Sequence, residues 1–139
     1  MASLIYNSLT EDIANGNVDL GSDTFKMLLV TSSYTPDKDA HNRLDDITNE
    51  VASGSGYTTG GVTVSTTVTL DTANDKTTVT FAAGSWTEST ITAAGAVIYK
   101  SRGGASSADE LVLYNDFGGS LSSTGNTLSV ASSTITIQN

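Results

Sequence analysis

The chain has no cysteine, one proline and one histidine among its 139 residues. Without cysteine there is neither a disulfide framework nor a thiolate zinc site, and the redox compartment cannot be inferred. With one histidine, any histidine-based catalytic machinery has to be built around His41, and no local signature such as G-x-S-x-G supports a serine triad. We therefore predict no catalytic residues and no enzyme.

Basic residues are also scarce. The chain has six basic and 15 acidic residues, which gives a net charge of −9 and a pI near 4.1. A negative domain lacks the positive footprint that phosphate binding needs, so we expect no direct nucleic-acid contact. Anionic membrane surfaces are disfavoured for the same reason, and no apolar run approaches the roughly 20 residues of a membrane span. Residues 1–6 lack the basic region and apolar core of a signal peptide, so we expect no standard secretion signal.

Hydroxyl side chains take the place of the missing charges. The chain has 19 serines and 22 threonines, whereas only 15% of its residues are charged, against about 25% in typical proteins. Threonine is β-branched and suits a half-buried pleated surface. Composition therefore favours sheet over helix, and the length predicts a single domain, residues 1–139.

Alternating apolar and hydroxyl residues between Val62 and Phe81 predict a β-hairpin. We expect Val62–Leu70 to pair with Thr77–Phe81, with the valines, Leu70 and Phe81 facing inward. On that placement, replacing Val68 by aspartate destabilises the fold by several kcal/mol because it buries an unpaired charge.

Further apolar segments predict more strands, at Phe25–Thr31, Trp86–Ile91, Ala96–Tyr99, Leu111–Tyr114 and after Leu128. Turns are expected at 82–85, 102–108 and 116–119, and a parity switch near Ser132 and Ser133 requires a bulge or bend. About eight strands at short spacing, without βαβ alternation, predict an all-β, single-domain antiparallel β-sandwich of jelly-roll type.

The N-terminal arm, residues 1–20, contains the one strong helix signal. Ser8-x-x-Glu11 has the spacing of a capping box, and residues 15–17 (Asn-Gly-Asn) are expected to end the helix after about two turns. A weaker signal indicates a helical turn at 39–44. The predicted fold is therefore a sandwich with a short N-terminal helix.

A long connection separates the strand at Phe25 from the strand at Val62. This excursion, residues 32–61, leaves the strand at a proline-fixed turn (residues 34–37), continues through an acid-rich segment and ends in glycine-rich residues 54–61. Connections of roughly thirty residues are unusual and tend to be functional. We therefore expect the functional surface here.

The excursion and its flanks also carry a family resemblance. The sequence TFKMLLVTSSYTPDKDAH, followed by TNEVASGSGYTTGGVTV, resembles small tailed-phage virion proteins that act as cement, or decoration, proteins on the capsid shell. The resemblance extends more loosely to residues 4–7, Trp86 and residues 96–99, and its most distinctive block is 34–41. The Gly/Thr run is less specific, since many β proteins contain similar stretches.

The resemblance implies a jelly-roll β-sandwich that binds the major capsid protein and associates with itself. From it we expect a structural virion protein on the outer capsid surface, assembled in the host cytoplasm, with a homodimer preferred and a trimer possible. The alternative is a carbohydrate- or receptor-binding module of a virion, favoured if Trp86, Tyr57 and Tyr34 form an exposed aromatic strip.

The segment 34–43 combines an aromatic residue, a proline-fixed turn and charges of both signs. We predict that it contains the capsid or partner interface, formed by six residues: Tyr34, Pro36, Asp37, Asp39, His41 and Arg43.

Acidic residues of the excursion leave one competing interpretation, an irregular calcium site. Asp37, Asp39, Asp45, Asp46 and Glu50 are candidate oxygen ligands, but an EF-hand would need glycine where Asn42 stands and glutamate where Thr48 stands. The glycines at 54, 56, 60 and 61 precede a strand instead of opening a helix, so backbone turning explains them better than phosphate binding. We expect no metal site and no cofactor.

Overall fold

Eight strands form two antiparallel sheets that pack face to face, as described for residues 2–139 by a computed structural model. The predicted all-β sandwich with a short N-terminal helix is confirmed. The strands are β1 (Leu4–Ile5), β2 (Phe25–Val30), β3 (Val62–Val64), β4 (Thr66–Asp71), β5 (Lys76–Phe81), β6 (Gly84–Lys100), β7 (Leu111–Val130) and β8 (Ser133–Gln138). One sheet has the order β1-β7-β6-β2-β3 and the other has the order β4-β5-β8.

Strand β2 is buried on both faces, as its apolar run predicts. Phe25, Met27 and Leu29 point into the large core between the two sheets, where Phe25 meets Phe81 edge to face. Leu28 and Val30 point to the opposite face, into a second apolar cluster. The five-stranded sheet therefore has an inner face, toward the other sheet, and an outer face, which needs a cover of its own.

The predicted helix forms as α1 (Ser8–Ala14) and ends at Asn15, where Gly16 takes a φ of +76°. The predicted capping box is wrong. The N-cap is Asn7, and the buried Ser8 hydroxyl has no hydrogen-bond partner. The chain enters the helix one residue early because β1 and the bond from the Asn7 amide to the Lys38 carbonyl (3.0 Å) fix Asn7 in place.

The predicted hairpin is half right. Strands β4 and β5 pair in the expected register, with Val68 opposite Val79, but Val62–Val64 forms β3 and joins the other sheet beside β2. Val79 and Phe81 are buried, whereas Val68 and Leu70 remain 48% and 67% exposed. Their inward burial was predicted wrongly because periodicity gives the face of a strand and not the extent of the opposing sheet. Val68 and Leu70 lie on the same face of the sheet as Val79, but beyond the area that the opposing layer covers.

Strands β6 and β7 form one long hairpin in which the sequence predicted four shorter strands. The turn expected at 116–119 is a bulge: Gly95 pairs with Asp116 and Ala93 pairs with Leu121, so β7 carries extra residues there. Gly118 has a φ of +73°, which lets the chain leave the ladder and return to it. The parity switch near Ser133 marks the passage from β7 to β8 in the other sheet.

The weak helical signal at 39–44 is displaced. A turn occupies residues 38–40 and a 3-10 turn occupies Leu44–Asp46, while residues 41–43 between them form no helix. No helix among residues 2–139 is long and apolar enough to span a membrane.

Candidate functional site

The first part of the excursion, through Ile47, lies across the outer face of the five-stranded sheet and forms its cover, whereas Val51 and Tyr57 farther along pack against the inner-face cluster. The excursion leaves β2 at Val30 and returns at β3, and on the way Tyr34, Leu44 and Ile47 pack onto the second apolar cluster. Two bridges fix it to the rest of the fold, Val30 to Glu50 and Arg43 to Glu110. The long connection is thus a folded layer with an inward and an outward side.

Tyr34 is the central inward residue of this layer. Its ring is 2% exposed and packs against Tyr114 at 5.7 Å between centroids, while the His41 ring stacks on it at the same distance. Its hydroxyl bonds to the Tyr6 hydroxyl (2.8 Å) and to His41 Nδ1 (2.9 Å). Burial raises the pKa of Tyr34 and of Tyr6, so both phenols stay neutral. Tyr34 therefore supports the excursion and cannot itself touch a partner.

Arg43 is a second anchor. Its guanidinium donates two hydrogen bonds, of 3.0 and 3.1 Å, to the buried carboxylate of Asp12 in α1. This fork-shaped pairing joins the N-terminal arm to the excursion. Sequence reasoning missed Asp12, since nothing in the pattern of a short helix indicates which distant cation its carboxylate meets.

Between these anchors the chain forms an exposed turn, residues 37–40, which we call the acidic turn. The Asp37 carboxylate accepts hydrogen bonds from the amides of Asp39 and Ala40, both 3.0 Å, and the His41 amide donates to the Asp37 carbonyl (2.9 Å). The bonds from Ala40 and Asp39 hold the pKa of Asp37 below its ordinary value of 3.8. The turn therefore presents fixed negative charge at neutral pH.

The N-terminal arm holds the acidic turn in place through two hydrogen bonds from Asn7. The Asn7 side-chain amide donates to the Asp39 carboxylate, and the Asn7 backbone amide donates to the Lys38 carbonyl. Lys38, Asp37 and Asp39 all point to solvent, and Pro36 is half-buried. Of the six predicted interface residues, Asp37 and Asp39 form an exposed pair and Pro36, His41 and Arg43 are partly accessible. Tyr34 is buried, and the Arg43 guanidinium is bound to Asp12.

The far end of the excursion is held by a partly buried cluster of polar groups around Glu50. Its carboxylate accepts from the Tyr57 hydroxyl (2.7 Å) and the Gly60 amide (2.6 Å), while the Tyr99 hydroxyl donates to the Gly60 carbonyl (2.7 Å). Gly61, at a φ of +77°, lies so close to β2 that a Cβ atom there would meet the Met27 carbonyl oxygen. The glycines close the excursion, and the Gly60 amide is already occupied by Glu50.

The acidic residues of the excursion do not converge. Asp37 binds its own turn, Asp46 accepts from the amides of Asn42 (2.8 Å) and Arg43 (3.1 Å), and Glu50 bonds to Tyr57. The Asn42 amide, with that of Arg43, holds the pKa of Asp46 below its ordinary value despite its partial burial. Within residues 2–139 no group of three or more acidic or histidine side chains could hold a metal ion.

The residues considered above for catalysis and for sugar binding make contacts within the fold. His41 bonds to Tyr34 and to the Asp37 amide (3.3 Å), neither of which is a serine. Tyr34, Tyr57 and Trp86 are each only 2% exposed, so they form no aromatic platform for a sugar. A groove of about 660 Å³ runs between β1 and β8, and among residues 2–139 Lys38 is the only charged residue that lines it.

No family model matches this chain, and no curated protein and no solved structure is significantly similar to it. The resemblance to phage cement proteins therefore stays a prediction from the sequence.

Proposed function

We propose that this chain is a structural virion protein that binds and stabilises the outer face of a tailed-phage capsid. The partner is the major capsid protein, and the chain performs no chemistry of its own. One observation carries the proposal. The block with the most distinctive resemblance, residues 34–41, folds as a turn that is anchored from inside and presented to solvent.

Anchoring matters because a contact element that is already ordered loses little conformational entropy on binding. Tyr34 and Arg43 hold the two ends of the segment, and Asn7 braces its middle. Asp37, Lys38 and Asp39 are then left exposed in a fixed arrangement with both charge signs. Such charges tune specificity and association rate more than raw affinity.

The net charge of −9 favours the outside of the shell. Packaged DNA fills the interior with negative charge and would repel this domain, although screening limits the reach to about 8–10 Å. On the outside the same charge opposes non-specific association of particles. We further propose that the protein acts as a homodimer, since closed symmetric association is common and protects strand edges.

Binding to empty, expanded shells of the phage that encodes the chain tests the proposal. We expect wild-type protein to co-sediment with shells, and the double variant Asp37→Asn, Asp39→Asn to bind modestly less, by about three- to tenfold at low salt. The difference should shrink as salt is added because the lost contacts are exposed charges.

A charge-matched control separates this contact from net charge. Asp75→Asn with Glu88→Gln removes the same number of charges from exposed residues outside the excursion, one between β4 and β5 and one in β6, and it should bind like wild type. If wild-type protein does not bind shells, the capsid role is wrong. If both double variants weaken binding equally, the acidic turn is not the contact.

A further inference from the structure

The strand β8 lies at an open edge of the three-stranded sheet. It pairs with β5 through six residue pairs, from Lys76–Gln138 to Phe81–Ser133, and no other strand within residues 2–139 pairs with its opposite side. A free edge presents a row of unpaired backbone donors and acceptors, which is a template for another strand.

The sequence of β8 does nothing to block such pairing. Residues 133–138, STITIQ, contain four β-branched residues and no charge, proline or glycine. Edge strands normally carry charges or proline against unwanted pairing, and uncharged segments of this kind are aggregation hazards when left open. The other edge of this sheet is β4, which is also six residues long and ends in Asp71. Its Val68 side chain lies near Gly21, and the Asp19 carboxylate lies beside the same glycine. The edge of β8 is therefore the less protected of the two.

The distribution of charge on the chain decides whether a second copy can pack against the β8 edge. Two copies of a chain with a net charge of −9 repel each other over most of their surfaces. The groove beside β8 is an exception, because among residues 2–139 Lys38 is the only charged side chain that lines it. The other lining residues are uncharged, and the aliphatic ones are Leu4, Ile5, Leu113 and Ile135. Ile5 is 41% exposed there. A second copy can therefore meet this face without opposing carboxylates.

We propose that two copies of the chain pair through β8, antiparallel about a two-fold axis, to form a continuous six-stranded sheet. The axis passes beside Thr136, so that Thr136 faces its own counterpart on the outer side of the sheet. Ile137, now 43% exposed, then lies opposite Ile135 of the second copy on the core side. The pairing closes on itself and leaves no β8 edge open.

This inference gives the self-association proposed above a surface and a register. It does not depend on a capsid, because the edge is open in the isolated chain. Its test is accordingly made in solution, where failure of shell binding has no effect on the result.

The first test is the mass of the protein by light scattering and sedimentation across the micromolar to millimolar range. We expect wild type at twice 14.3 kDa. Thr136→Lys places one ammonium group from each copy opposite the other across the two-fold axis. Their repulsion should raise the dissociation constant of the dimer roughly a hundredfold. Thr69→Lys is the matched control: Thr69 lies in the same row of the same sheet face, on β4, because both Thr69 and Thr136 pair with Thr78. It should remain dimeric.

A covalent test fixes the register. Since the chain has no cysteine, Thr136→Cys provides a single thiol at the proposed axis, and mild oxidation should convert most of the protein to a disulfide-linked dimer. Thr69→Cys should not cross-link. A monomeric wild type, a Thr136→Lys variant with unchanged dimer affinity and an unchanged melt, or cross-linking that is equal at 69 and 136 would each overturn the β8 dimer.

Discussion

The two faces of the five-stranded sheet are covered in different ways. The inner face packs against a regular sheet, and its cluster includes Phe25, Phe81 and Trp86, which meet other apolar side chains. The outer face is covered by the irregular excursion, and half of its eight clustered residues are tyrosines, namely Tyr6, Tyr34, Tyr99 and Tyr114. The fifth tyrosine, Tyr57, belongs to the excursion, but its ring packs in the inner-face cluster, with 6.0 Å between its centroid and that of Trp86.

This difference follows from where backbone groups find partners. A sheet satisfies its own amides and carbonyls, so its covering side chains can be wholly apolar. An irregular cover leaves backbone and side-chain polar groups near the core, and each one left unpaired costs about 1–3 kcal/mol. Tyrosine supplies an apolar ring and a polar tip. Tyr57 accepts from the Leu29 amide (3.0 Å), and Tyr99 donates to the Gly60 carbonyl.

The largest effect should come from charge placed within the covered part of the inner face. Val79→Asp buries an unpaired carboxylate at a residue 1% exposed and should destabilise by several kcal/mol. Val68, directly opposite in register but 48% exposed, is the control, and Val68→Asp should cost about 1 kcal/mol or less. Denaturant unfolding measures both. Equal losses would mean that the opposing layer reaches further than described.

High pH should destabilise the outer face most, because four of the five tyrosines lie in its cluster. Burial raises the pKa of Tyr6, Tyr34 and Tyr99, and raises that of Tyr114 to about 12. In the unfolded chain tyrosine ionises near 10.0, so above that pH the unfolded state loses protons that the folded state keeps. Stability should therefore be intact below pH 10.0 and fall as the pH rises further. Tyrosinate absorbance should appear together with unfolding; ionisation at the ordinary pKa in an intact fold would contradict this.

A single hydroxyl gives the smallest of these effects. Tyr34→Phe keeps the buried ring but removes the bonds to the Tyr6 hydroxyl and His41, and we expect a loss of about 1–2 kcal/mol. Amide exchange should speed up in the acidic turn and stay unchanged in β5. Tyr114→Phe is the control, because its hydroxyl bonds at 3.2 Å to Asp116, a partly exposed carboxylate, and should cost less.

The sequence predicted features that depend on local pattern. The double-sided burial of β2, the β4–β5 register, the break before β8 and the span of the excursion all follow from periodicity and turn residues. It could not predict that β6 and β7 continue through their bulges, because a glycine bulge and a glycine turn look alike in one chain.

Prediction of the site was limited by side-chain direction. The sequence predicts that the segment 34–43 contains the capsid or partner interface, yet the Tyr34 hydroxyl and the Arg43 guanidinium bind Tyr6 and Asp12 within the fold. Those partners lie 28 and 31 residues away in the chain, and no spacing rule connects irregular segments over such distances. Exposure within a loop is a tertiary property.

A density map of shells incubated with the protein tests the central claim most directly. We expect density for the chain on the outer surface only, with the acidic turn facing the major capsid protein and the three-stranded sheet away from it. At protein concentrations that do not saturate the shells, this density should be weaker for the Asp37→Asn, Asp39→Asn variant than for wild type. The Asp75→Asn, Glu88→Gln control should give density as strong as that of wild type. Density only inside the shell, or none at all, would contradict the proposed function.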